Sequence, residues 1–274
     1  MKNLVTFKND ICLVAGSGDI AYEAAKSISL QKRLSKIILL NSNSKINKHF
    51  KSLVTNFNIR DLNKIIDFIK SNQIKNLLII GYVPLPPLNE IKLSIKDKIL
   101  LSKDIFLNNI SDQSKILKNF LNKKNFTILS QKKVLKDNLV IRNDEFIFKK
   151  HYSLIQKFKD NTKNIDQLFN NSISQSLIMN GNEILAIEDI FGTDYLINRL
   201  KKVYKKYNNL LFIKSKKLNQ IDEIDFPVIG LNTIKLLKKY NYKVICLYHN
   251  KILINNKTEF MKFLKNNSIS LLVI

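Results

Sequence analysis

Arginine is almost missing from this chain. Of its 46 basic residues in 274, only Arg33, Arg60, Arg142 and Arg199 are arginines. The rest are lysines, scattered among asparagines and isoleucines along the whole length. A formal net charge of +24 would otherwise suggest nucleic acid. Bidentate contacts to phosphates and bases are chiefly made by arginine, and no focused basic patch is visible, so no nucleic-acid partner is expected. A diffuse positive field still favours anionic membrane surfaces and anionic substrates. Long apolar runs are missing too: none approaches the ~20 residues that span a bilayer. The start, Met1 to Asp10, is broken by charge too early for a secretory leader, and a cytoplasmic protein is expected. The two cysteines, Cys12 and Cys246, lie in apolar strand-like runs and read as buried free thiols. His49, His151 and His249 share no metal-ligand spacing and read as surface or loop residues. Neither a Walker A segment nor a nucleophile elbow occurs.

What is present is an ordinary globular composition, 45% hydrophobic and 25% charged, in which short apolar runs alternate with helical patterns. Strands are predicted at 11–15, 37–40, 77–80 and 126–129, with helices at 20–30, 61–69 and 114–121 between them. This alternation predicts an α/β fold: an N-terminal Rossmann-like domain with a mostly parallel sheet. The stretch 135–160 is charged and patternless, apart from a short strand at 145–149. Strands then resume at 176–179, 184–188, 210–213, 228–231, 244–247, 252–254 and 270–274. Helices are expected at 193–207, 233–240 and 258–264, with Thr193 and Thr258 as N-caps. The expected organisation is residues 1–135 as the first domain, 136–160 as a linker region, and 161–274 as a C-terminal catalytic α/β domain with a mixed sheet.

Glycine is scarce, six in all, so each one is informative: glycine serves where the backbone needs a positive φ or must approach a neighbour closely. Gly16 and Gly18 follow the first strand and Gly81 the third; Gly181 turns a hairpin; Gly192 and Gly230 sit in acidic loops. The segment Ala15 to Ala21 fits a loose G-x-G-x-x-A pattern. It is open to three readings: a plain turn, a phosphate-contacting loop at a helix N-terminus, or a dinucleotide site. The last would want an acid near the end of the second strand, where Asn41 stands. There is no suitable Tyr-x-x-x-Lys either, which disfavours an NAD-dependent oxidoreductase.

Two loops gather carboxylates beside glycines: Glu188, Asp189 and Asp194 in one, Asp222, Glu223 and Asp225 in the other. Acids near helix N-termini can simply stabilise the helix dipole, as for Asp194. Asp225 stands before Phe226-Pro227 and is expected in an extended stretch among apolar residues. Helix capping explains it least. Hard divalent cations use such oxygen ligands together with substrate phosphates.

At these residues the sequence resembles, over nearly its whole length, the two-domain UDP-2,3-diacylglucosamine pyrophosphatases of lipid A synthesis. The matching residues are Val14 to Gly18, then Gly81-Tyr82-Val83, then Ile173 and Gln175. They continue with Ala186, Ile187, Glu188, Gly192, Thr193, Asp194 and Arg199. The last are Lys217, Gln220, Asp225, Pro227, Ile229, Gly230 and Thr233. Departures are Leu85, Ser172, Phe191, Leu218 and Glu223, and Lys214, Lys216 or Lys217 would supply charge lost elsewhere. The resemblance implies that water attacks the α-phosphate, giving UMP and 2,3-diacylglucosamine 1-phosphate. It implies Mg2+ (or Mn2+), with Asp225 as metal ligand or base and Glu188 and Asp194 as further carboxylates. Substrate contacts would come from Gly16, Ser17, Gly18, Gly81, Gln175, Gly192, Thr193, Lys217, Gln220, Gly230 and Thr233. A UDP-linked diacylated glucosamine lipid implies an apolar cavity between the domains and peripheral contact with the inner membrane surface. A homodimer is allowed. The rival reading is a decayed or substrate-shifted nucleotide-lipid binding protein, as the departures permit.

Overall fold

The computed structural model describes residues 9–41, 43–82, 90–99, 113–159, 162–200, 207 and 209–274. The chain divides into two units. The first takes in residues up to Lys136 together with Ile221–Asp225, the second Asp137–Gln220 with Phe226–Ile274.

The first unit is a five-stranded parallel sheet: β1 (Ile11–Ala15), β2 (Leu34–Leu39), β3 (Val54–Asn56), β4 (Asn76–Ile80) and β5 (Thr127–Ile128), in the order β3-β2-β1-β4-β5. Every residue of β1 is buried, as expected of a central strand covered on both faces. The helices are α1 (Asp19–Leu30), α2 (Ser44–Phe50), α3 (Leu62–Ser71), α4 (Gln113–Lys123) and the short α5 (Gln131–Val134). α3 buries Leu62, Ile65, Ile66 and Ile69, the i, i+3, i+4, i+7 stripe that the sequence shows. β3 and α2 are not foreseen by the pattern. β3 is three residues long and only half buried. α2 buries Ile46 but depends on a cap, the Asn43 side chain accepting from Ile46 N–H at 3.1 Å.

Strand order reverses between β1 and β4, the crevice where open α/β sheets bind ligands. Here the chain closes on itself. Ser17 and Tyr82 exchange backbone hydrogen bonds of 2.9 and 3.0 Å, and Gly16 N–H donates to Ile80 O at 2.8 Å. Gly81 has φ +90°, and a Cβ there would lie 2.7 Å from Ser17 O. Both facts demand glycine. Gly81→Ala should therefore cost about 1–3 kcal/mol, read as a lowered urea midpoint.

The second unit has a mixed sheet in the order β12-β10-β8-β6-β7. Its strands are β6 (Ser176–Asn180), β7 (Glu183–Ile187), β8 (Leu210–Lys214), β10 (Val244–Leu247) and β12 (Ser270–Val273); β9 (Val228–Ile229) and β11 (Leu253–Ile254) form a separate parallel pair. β8, β10 and β12 are parallel, β6 and β7 antiparallel. Gly181, at φ +57°, turns the β6–β7 hairpin. The helices are α6 (Tyr152–Lys159), α7 (Thr162–Asn170), α8 (Thr193–Arg199), α9 (Leu231–Lys239) and α10 (Lys257–Asn266). The α/β architecture expected from the sequence is thus observed, with one parallel and one mixed sheet.

Three local expectations are corrected. Residues 137–159 fold with the second unit instead of linking domains. Val140 is fully buried, Phe146 pairs with Leu271, and Lys257 binds Asp144 at 2.7 Å. Up to His151 the stretch looks patternless because it packs through single residues between 3₁₀ turns, which impose no long period; α6 then buries Leu154, Ile155 and Phe158. Thr193 and Thr258 do not cap: Gly192 (φ +88°) and Asn256 precede those helices. The α8 helix was expected to run to 207; it is described to Arg199, and 201–206 lie outside the described residues, as does Leu85.

Cys12 and Cys246 are buried free thiols, and burial pushes Cys12 up to about 12. His49 is exposed, but His151 is buried, sharing a 2.9 Å hydrogen bond with Ser270 Oγ. Burial, aided by Lys150 and Lys243, holds its imidazole below the ordinary 6.5. The unfolded chain then takes up a proton at His151 that the folded chain refuses. Stability should fall as pH drops through 6.5 towards the lower folded value. A urea series between about pH 5 and 8 on the wild type and His151→Asn should show this slope in the first and a flatter one in the second.

Candidate functional site

Lys214 is the last residue of β8 and pairs in register with Ser176, the first of β6. Its side chain is 2% exposed. Burying an ammonium is costly unless it is paired and hydrogen-bonded. Its Nζ donates to Thr193 Oγ1 at 2.8 Å and Ser176 Oγ at 3.0 Å, and lies 3.8 Å from Glu188 Oε2. Glu188, 7% exposed, accepts from Thr193 Oγ1 at 2.9 Å through Oε2 and from Gln175 Nε2 at 2.8 Å through Oε1. Gln220 Nε2 then donates to Gln175 Oε1 at 2.9 Å. Burial raises the Glu188 carboxyl, but Lys214 and hydrogen bonds from Gln175, Ser176 and Thr193 outweigh it, so the group sits below its ordinary value and is ionised.

Four residues expected to contact substrate or metal, Gln175, Glu188, Thr193 and Gln220, are therefore brought together by the fold. Lys214 at their centre is the one of the three lysines above that the fold buries; Lys216 and Lys217 are partly exposed. The Thr193 hydroxyl gives its proton to Glu188 and receives one from Lys214. It has no proton left for a phosphate, which revises its expected role. Asp194 lies outside this cluster: its Oδ1 accepts from Thr233 Oγ1 at 2.7 Å. Lys217 enters through its backbone, its N–H donating to Gln220 Oε1 at 2.8 Å. Gly230 precedes α9 with an extended φ of −142°, a conformation any residue adopts.

No group of three or more His, Cys, Asp or Glu able to hold a metal ion occurs among the described residues. Glu188 does not fit as a cation ligand, because both oxygens are engaged by donors, one of them beside an ammonium. Asp194 has one oxygen committed to Thr233.

In the first unit, the amides of Gly16 and Ser17 are used in the backbone bonds to Ile80 and Tyr82, so they cannot cradle a phosphate. Asp19, ion-paired with Lys45 at 2.8 Å, already places a negative charge at the start of α1. Asn41, where a dinucleotide site would want an acid, donates to Tyr82 O at 3.3 Å. The plain-turn reading of this loop is the one its geometry favours.

Asp225 belongs to this unit. The segment 221–225 is fastened by buried Gln131, whose N–H donates to Asp222 O at 2.7 Å and whose Nε2 donates to Ile79 O at 2.7 Å and Ile224 O at 2.8 Å. Glu223, the reversed charge among the departures, pairs with Lys118 at 3.0 Å. The N–H of Asp225 closes a turn over residues 222–224 on Ile221 O at 3.3 Å. Asp225 lies at the rim of a cavity of about 320 Å³, lined by Val14, Leu62, Ile66, Ile79 and Leu117 among others, with Gly81 and Tyr82 also on it. Gln131 carries no signal in the sequence: it is a single glutamine in a four-residue helix.

These features define a class: an α/β protein of two sheet-centred units, one holding a buried Lys–Glu–Thr cluster at a strand end, the other an apolar cavity with a carboxylate at its rim. The family model of the LpxI N-terminal domain matches residues 10–138, and that of the LpxI C-terminal domain matches residues 148–272. The chain belongs to the LpxI family, and is a hydrolase acting on UDP-2,3-diacylglucosamine in lipid A synthesis. This corrects the family drawn from the motifs. Both halves of the chain match LpxI, so the pyrophosphatase family is set aside, and with it the attack on the α-phosphate that rested on that resemblance. Comparison with curated proteins finds no match. Among the described residues, no helix is long and apolar enough to cross a membrane.

Proposed function

We propose that the chain splits the pyrophosphate linkage of UDP-2,3-diacylglucosamine with water, releasing UMP and 2,3-diacylglucosamine 1-phosphate, with Asp225 as the reacting carboxylate. One observation carries this reading: a carboxylate at the rim of a cavity whose lining is otherwise mainly apolar. Its volume lies in the usual range of ligand sites. An acyl chain suits the cavity, and the polar head of the same molecule suits the rim. Asp225 takes the proton of the attacking water, a role that asks for a carboxylate within hydrogen-bond reach of that water. A divalent cation, Mg2+ or Mn2+, would neutralise phosphate charge when bound, with Asp225 as the carboxylate that would hold it. The Glu188–Lys214 pair fixes the Thr193 hydroxyl and the turn around Gly192. Work at the inner membrane surface from the cytoplasmic side belongs to this reading.

Hydrolysis in ¹⁸O water reads which phosphorus is attacked, since the label enters UMP in one case and the sugar phosphate in the other. The cavity has its own test. Leu117→Trp should raise KM for the diacylated substrate roughly tenfold or more, with a smaller effect on kcat. An unchanged KM would remove the acyl chain from this cavity.

A further inference from the structure

We propose that the end of the second unit's sheet that carries Lys214 is a docking surface for an anionic bilayer. The proposal rests on the reading of the substrate as a diacylated lipid, which resides in a membrane. Ile190 is 94% exposed, Leu218 74%, Phe191 67% and Ile173 51%. Single exposed apolar side chains are ordinary, but these four stand on three loops at one end of one sheet. Asn219 N–H donates to Ser172 Oγ at 3.0 Å, joining the loop of Ile173 to that of Leu218. Gln175, between Gln220 and Glu188, ties both to the loop of Ile190 and Phe191. The tip of that third loop is itself braced: Phe191 N–H donates to Asp189 Oδ1 at 3.0 Å, Gly192 N–H to Asp189 O at 3.2 Å, and Asp189 is ion-paired with Arg199. The apolar side chains are thus held out on rigid supports. Clustered exposed apolar residues of this kind mark interaction surfaces.

Charge and shape select the occupant. Lys217 adjoins Leu218, Asp189 is neutralised by Arg199, and the whole chain carries +24. Apolar tips among lysines match an anionic lipid interface, into which side chains insert while ammonium groups meet the head groups. Tyr195, its ring 4.9 Å from that of Phe191, adds an aromatic suited to that depth. A second copy of this chain would bring the same positive charge and be repelled. A single acyl chain would call for a concave pocket, whereas these side chains project.

The test uses the full-length chain and a variant carrying Ile190→Ser, Phe191→Ser and Leu218→Ser. Each is sedimented with vesicles of phosphatidylglycerol and phosphatidylcholine, or of phosphatidylcholine alone. Wild type should partition onto the anionic vesicles, with neutral vesicles and the triple variant each weaker by roughly tenfold or more. UMP release from detergent-dispersed substrate should be unchanged in the variant. Equal sedimentation of variant and wild type overturns the proposal. So does a variant that loses hydrolysis of dispersed substrate while still binding vesicles, which would assign the loops to the substrate, or a wild-type dimer that the variant dissociates. Vesicle binding of the expected kind in a preparation that releases no UMP supports the surface and counts against the hydrolase reading alone.

Discussion

Lys214→Met should lower the stability of the fold by about 3–5 kcal/mol, the usual cost of removing one partner from a buried ion pair. The reason is Glu188. Its carboxylate is buried and ionised because Lys214 and three hydrogen bonds outweigh the penalty of burial. Burial is already the largest single influence; without the ammonium its strongest opposition is gone, and the carboxyl should rise above its unfolded value. The sign of the pH dependence should therefore reverse at this group. In the wild type, the stability it contributes is present above the unfolded value and lost as pH falls through the lower folded one. In the variant, it is present at acid pH and lost as pH rises through the raised folded value. Urea unfolding at about pH 5 and pH 7.5 separates the two. Lys214→Met combined with Glu188→Gln should recover most of the stability, because both charges are then gone. If Lys214→Met alone unfolds with the wild-type midpoint at both pH values, the pair has no such role.

Asp225→Asn should reduce kcat by roughly 10²- to 10⁴-fold, the range associated with a positioned acid or base, and leave KM much less affected. The fold should survive. The position of the segment 221–225 is set by Gln131, by the Lys118–Glu223 pair and by partly buried Ile224 packed against the apolar core. The substitution preserves size and removes the charge. A loss in KM with unchanged kcat would make Asp225 a binding group and not the reacting one.

Much of this fold is legible in the residues because burial is periodic. Ile11 to Ala15 and Val244 to Leu247 read as strands, and the stripe Leu62, Ile65, Ile66 and Ile69 as a helix, since each buries a regular set of side chains. Short elements such as Val54–Asn56 leave too brief a pattern, and residues 137–151 pack one at a time between 3₁₀ turns. For the candidate site, the acidic residues stand out against a basic chain, and Asp225 and Glu188 are singled out on that ground. Their environments do not show in the sequence. Glu188 looks like a metal ligand until Lys214 is placed 3.8 Å from it, a proximity created by the pairing of β7 with β6 and of β6 with β8. Lys214 is hidden among dozens of lysines and is distinguished only by burial. The glycines at 16 and 18 suggest a phosphate loop, but the amides there are already bonded to Ile80 and Tyr82, a long-range pairing with no local signature.

The most direct measurement is UMP release from UDP-2,3-diacylglucosamine by purified wild type and Asp225→Asn, both shown to be folded. The wild type should release UMP and 2,3-diacylglucosamine 1-phosphate in equal amounts, and the variant should fall by at least about 10²-fold. Equal release by both, or none from the folded wild type, would contradict the assignment.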